Sequence, residues 1–145
     1  MMKKYLHRLI PSTLILMFSN MSIAFEEPVI ASYALQPIER FNQNLADAQL
    51  QQLSWSFHPQ NISAEYTGHE FVLLKVKQTN EKIITYNVHQ DKDQNQTLLL
   101  ILTLNQNGQY WRLEEAQLSW QCQNRDDRHF NTKPCSLSPT VNNWW

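Results

Sequence analysis

Apolar positions recur at helical spacing early in the chain and at a period of two later on. Ile38, Phe41, Leu45 and Ala48, with Leu53 continuing the stripe, predict an amphipathic helix over residues 37–53. Pro37 suits its first position, where no amide donor is needed, and Glu39 lies in the first turn, where the helix dipole favours an acid. Residues 25–36 contain Pro28 and no clear period, and read as an extended lead. Residues 54–68, with His58-Pro59 and Gly68, read as a connecting loop.

From residue 70 the period is two. Residues 70–78 place Val72, Leu74 and Val76 on one face and Lys75 and Lys77 on the other. Asn80-Glu81 then suits a turn. In the next strand Ile84, Tyr86 and Val88 share one face, and Thr85, Asn87 and His89 are expected to face water. Residues 91–96 read as a polar hairpin loop. Residues 97–104 are apolar on both faces, as in a central strand covered on both sides. Asn107-Gly108 is the strongest turn signal. In the last strand the alternation slips at Glu114-Glu115, as a bulge would cause, and resumes through Ala116, Leu118, Trp120 and Cys122.

This order predicts an α+β fold: one N-terminal helix packed on a four-stranded antiparallel meander, closed by a C-terminal disulfide loop. The expected organisation is a signal peptide over 1–24, a lead over 25–36, one domain over 37–135 and a tail over 136–145.

The N-terminal residues set the compartment. Lys3, Lys4 and Arg8 precede a mostly apolar run over 9–18, and Ser22 and Ala24 stand at −3 and −1 of an expected cleavage site. The apolar run is shorter than the roughly 20 residues of a spanning helix, so no stable membrane span is expected after cleavage. A periplasmic or secreted location follows. The mature chain of 121 residues has room for one domain, and its nine basic and thirteen acidic residues give a net charge of −4. No basic cluster suggests nucleic acid. In an exported chain, Cys122 and Cys135 are expected to form one disulfide.

Candidate chemistry is sparse. Asp91-x-Asp93-x-Asn95 opens like a calcium loop, but its sixth position is Gln96 rather than Gly and its twelfth is Leu102 rather than Glu. His58, His69, His89 and His129 fall on separate segments without zinc-ligand spacing. There is no G-x-S-x-G elbow, and oxidised cysteines supply no thiolate. Glu26-Glu27, Glu114-Glu115 and Asp126-Asp127 are paired carboxylates, but neighbours on a strand point to opposite faces. The expectation is a protein that is not an enzyme and uses no metal or cofactor. The two glycosylation sequons of the expected mature chain, at Asn61 and Asn95, read as chance matches in a chain whose leader is bacterial in style.

The distinctive stretch runs from Trp120 to Cys135. A bond between its cysteines would close a loop of 14 residues that holds Arg125, Asp127, Arg128 and Lys133, with Phe130 as its one large apolar residue. Closing a loop of that size is worth roughly 3 kcal/mol on the chain-entropy account. Trp120-x-Cys122, followed by Asp127, Phe130, Lys133 and Cys135, resembles the C-terminal disulfide loop of type IV pilins. That resemblance implies a helix followed by a four-stranded meander, and a loop that meets surfaces or receptors. Phe25-Glu26-Glu27-Pro28 after an ordinary signal site departs from the pilin's prepilin leader and hydrophobic assembly helix, which Pro28 would break, so a pilin-like head without pilus assembly is expected. The expected partner-binding residues are Arg125, Asp127, Arg128, Phe130 and Lys133, acting on an unidentified protein or surface. The alternative is a periplasmic inhibitor or immunity-type protein that neutralises a toxin or hydrolase. Trp144 and Trp145 are candidates to dock on the domain or on a partner.

Overall fold

A computed structural model describes residues 26–123 and 129–135. The expected signal segment and tail lie outside them. In chain order the elements are strand β1 (Ala34–Leu35), helix α1 (Glu39–Leu50), a 3-10 turn (Ser54–Phe57), helix α2 (Pro59–Thr67), and strands β2 (Val72–Thr79), β3 (Lys82–Asp91), β4 (Gln96–Asn107) and β5 (Tyr110–Cys122).

The expectation of one helix on four strands is corrected. The described residues form two helices and a five-stranded antiparallel sheet of order β1-β5-β4-β3-β2. The additional strand β1 has two residues, too few to show alternation, and pairs with Gln117 and Leu118 of β5. Helix α2 fills what reads as a loop. It has nine residues and buries Ile62 beside a polar residue, Ser63, so it carries no apolar stripe. Pro59 opens it, and Gly68, at φ 78°, stops it in a conformation that suits a residue without Cβ. Helix α1 ends three residues before the predicted limit, and Gln52 then turns the chain at φ 57°.

The hairpin signals hold. Asn107 pairs with Tyr110 around Gly108, whose φ is 63°. In β5 the register passes from Leu113 to Glu115 opposite consecutive residues of β4, so Glu114 is the bulged residue. A second bulge, at Leu74, corrects the reading of β2. Val72 pairs with Val88 and Val76 with Thr85, so the two valines stand on opposite faces.

Both faces of the sheet are covered, which explains why β4 is apolar throughout. On the helix side, Leu100, Leu102, Leu104, Leu113 and Ala116 pack with Leu45 and Ile62, aided by Phe41, Trp55 and Tyr66. On the opposite side Tyr86, Leu99 and Ile101 pack with Ile84, Val88, Ile30 and Phe130. The lead supplies Ile30, and its Glu27 reaches Lys77 at 2.9 Å and Lys75 at 3.6 Å on β2. It therefore spans this second face.

The assignment of Thr85 and Asn87 to water is also corrected. Thr85 is fully buried and Asn87 is 2% exposed. Ser63 of α2 meets the Thr85 hydroxyl at 2.7 Å and donates to Asn87 Oδ1 at 3.2 Å. Asn87 Nδ2 donates to Thr85 Oγ1 and to the Leu100 carbonyl. A polar strand face can lie under a helix when the helix returns the hydrogen bonds that water would have made.

Candidate functional site

The end of β5 is where the structure concentrates its special features. Cys122, its last residue, is disulfide-bonded to Cys135. Between them residues 129–133 run as a rib that is hydrogen-bonded on both edges. On one edge Trp120 and Asn131 exchange two backbone hydrogen bonds of 2.9 Å. On the other, the Ala31 amide donates to the Phe130 carbonyl and the Phe130 amide donates to the Val29 carbonyl. Ser32 and Thr132 add a hydroxyl pair at 3.0 Å, and the Thr132 amide donates to Ser32 Oγ. The returning arm of the loop thus ties the lead to β5. No alternation over so few residues could announce it.

The sequence-derived contact residues divide into three groups. Phe130 turns inward, half-buried against the cluster around Tyr86, Leu99 and Ile101. Its side chain serves the fold, because the lead alone does not cover that face. Lys133 is exposed, while its backbone is held at two points. Its amide donates to Asn131 Oδ1 at 2.8 Å, and its carbonyl accepts the Trp120 indole N–H at 2.9 Å. Arg125, Asp127 and Arg128 lie outside the described residues.

Beside this rib is an apolar groove of about 710 Å³, lined by Leu98, Leu118, Trp120, Pro134 and Cys135, with Gln94 and Gln96. Leu98 pairs with Trp120, and Leu118 packs against the helix-side core. The groove therefore continues that core face past the end of the helical layer. Sequence periodicity put Leu118 and Trp120 in phase with the apolar positions of the last strand, but it could not reveal that they line a groove. A second groove of about 490 Å³ lies between α1 and the β4–β5 hairpin, with Asn42, Gln43, Tyr110 and Arg112 among its walls.

The titratable groups are arranged in structural pairs. Hydrogen bonding and attraction from Lys77 hold the Glu27 carboxyl below its ordinary value. Asp91 is also lowered, chiefly because its carboxylate accepts the Gln94 amide, with Gln96 and Asp93 assisting. That carboxylate caps the hairpin turn, the role of an Asx residue at the start of a loop. Burial raises Tyr66 and Tyr86, each with a smaller contribution from a nearby glutamate. Glu114 pairs with Lys82 at 2.7 Å, and Glu115 accepts from Gln117 at 2.7 Å, so the bulge separates this acidic pair into two contacts. Among the described residues no group of three or more His, Cys, Asp or Glu is placed to hold a metal ion.

The disulfide is compatible with an extracytoplasmic location, and among the described residues no helix is long and apolar enough to cross a membrane. Compared with protein-family models, curated proteins and solved structures, the chain matches none.

Proposed function

We propose that this chain is an exported, non-catalytic contact domain, periplasmic or secreted, that meets a protein or surface with the disulfide-closed end of its sheet. In this reading it works as the heads of type IV pilins do, which its W-x-C loop resembles, without entering a pilus. The carrying observation is the pinning of Lys133. Its backbone is fixed on both sides by Asn131 and Trp120, while its side chain stands in solvent. A charged group on a rigid support loses less freedom on binding than one on a mobile loop. The contact is assigned to Lys133 and to Arg125, Asp127 and Arg128 of the same loop, with Phe130 as the internal support.

The test compares the disulfide-bonded protein with its Lys133→Glu variant as bait against an envelope extract of the source organism. A protein retained by the parent and lost by the variant, at unchanged melting temperature, supports the reading. Equal retention by both sinks it.

A further inference from the structure

We propose that the apolar groove beside the disulfide receives the chain's own residues 136–145, with Trp144 or Trp145 seated against Leu98, Leu118 and Trp120. This inference stands apart from the contact function and rests on three observations.

The first is connectivity. Pro134 and Cys135 are part of the groove wall, so residue 136 leaves from the site itself. Cys135 is fixed there by its bond to Cys122. Ten residues follow it in the sequence. An extended chain covers roughly 3.3 Å per residue, so these could span about 30 Å. From Cys122 back to Leu118 along β5 is about 13 Å at strand spacing. The tail can reach the whole groove and reverse direction within it.

The second is chemical match. Among the described residues the groove wall contains no Asp, Glu, Lys or Arg side chain, and its polar members are the amides of Gln94 and Gln96. The segment Ser-Leu-Ser-Pro-Thr-Val-Asn-Asn-Trp-Trp likewise carries no ionisable side chain, in a protein that is 17% charged over its whole length. Its apolar members are Leu137, Pro139, Val141 and the two tryptophans. Neither the segment nor the described part of the wall has a charged side chain whose hydration the contact would remove.

The third is size. The volume of about 710 Å³ falls in the range of sites that enclose an organic side chain or ligand. The Trp120 indole, already oriented by its bond to the Lys133 carbonyl, offers a ring for stacked or edge-to-face packing. Docking there would extend the helix-side core from Leu118 to Leu98 and Trp120.

Nuclear Overhauser spectra of the disulfide-bonded protein with labelled leucine methyls test this directly. The expected result is cross-peaks from the indole protons of Trp144 or Trp145 to the methyls of Leu98 and Leu118. The Trp144→Ala, Trp145→Ala double variant should shift those methyl resonances and leave those of Leu102, in the core, in place. Two results overturn the proposal. One is the absence of cross-peaks from both tryptophans. The other is their appearance between chains in a mixture of labelled and unlabelled protein, which would make a second copy the occupant.

Discussion

The carboxamide of Asn42 makes both backbone hydrogen bonds of Leu113. Asn42 Nδ2 donates to the Leu113 carbonyl at 2.8 Å, and the Leu113 amide donates to Asn42 Oδ1 at 2.9 Å. Leu113 is fully buried next to the bulge at Glu114, and β1 pairs with β5 only farther along, at Gln117 and Leu118. Helix α1 therefore supplies by one side chain what a neighbouring strand would have supplied. Asn42→Ala should destabilise the protein by about 1–3 kcal/mol, the cost of stranding buried backbone groups, as read by urea unfolding. Asn42→Asp should cost at least as much, since it puts a carboxylate against the Leu113 carbonyl. A neutral result for both would show that water replaces Asn42 without loss.

The Ser63–Thr85–Asn87 cluster should behave as a unit. Thr85→Val removes a partner from both Ser63 and Asn87 and should cost about 1–3 kcal/mol. Adding Ser63→Ala to that variant should cost less than the two single changes summed, because the second change removes a group already left short of a partner. Additive losses in a double-mutant cycle would mean that the hydroxyls do not act together.

Replacing Cys122 and Cys135 by serine should lower stability by roughly 3 kcal/mol on the chain-entropy account. Amide exchange at Asn131 should rise more than at Leu102, since the bond anchors the rib beside β5. If thermal unfolding is unchanged, the rib is held by its hydrogen bonds alone.

Phe130→Ala should cost about 2 kcal/mol, below the 3–5 kcal/mol of a fully buried phenylalanine, because this ring is half-buried. The same substitution should weaken protection of the Ala31 amide, whose acceptor is the Phe130 carbonyl. Lys133→Ala should leave stability nearly unchanged. Comparable losses for both would contradict the division between an inward Phe130 and an outward Lys133.

The ion pairs of the lead should be acid-sensitive. Lys77 lowers the folded-state value of Glu27 below its unfolded one, so the pairing contributes above the unfolded value and is lost as pH falls through the folded one. The protection of the Ala31 amide, read from its exchange rate relative to that of an unstructured peptide at the same pH, should therefore fall on acidification below the ordinary glutamate range. High salt should act in the same direction, because the pair is exposed. Glu27→Gln should remove the acid dependence; a variant that keeps it would assign the effect to another group.

The bulge at Leu74 was not legible along the chain, whereas the alternation of β3 and β5, the turn at Gly108, the bulge at Glu114 and the placement of both cysteines around one loop were. Each depends on neighbours a few residues apart: side-chain alternation, a backbone that tolerates positive φ, or a slip in the pattern. Tertiary structure alone decided which faces are covered. Alternation in β3 separates Thr85 and Asn87 from Tyr86, yet it cannot state that Ser63, more than twenty residues earlier, returns their hydrogen bonds. It marks Phe130 as apolar without telling a recognition residue from a support for a second core, because that depends on the lead crossing the opposite face. It puts Trp120 in phase with Ala116 and Leu118 and cannot say which layer covers that face or where the helices end. Burial is a property of the packed assembly, and a local pattern records only which residues are suited to it.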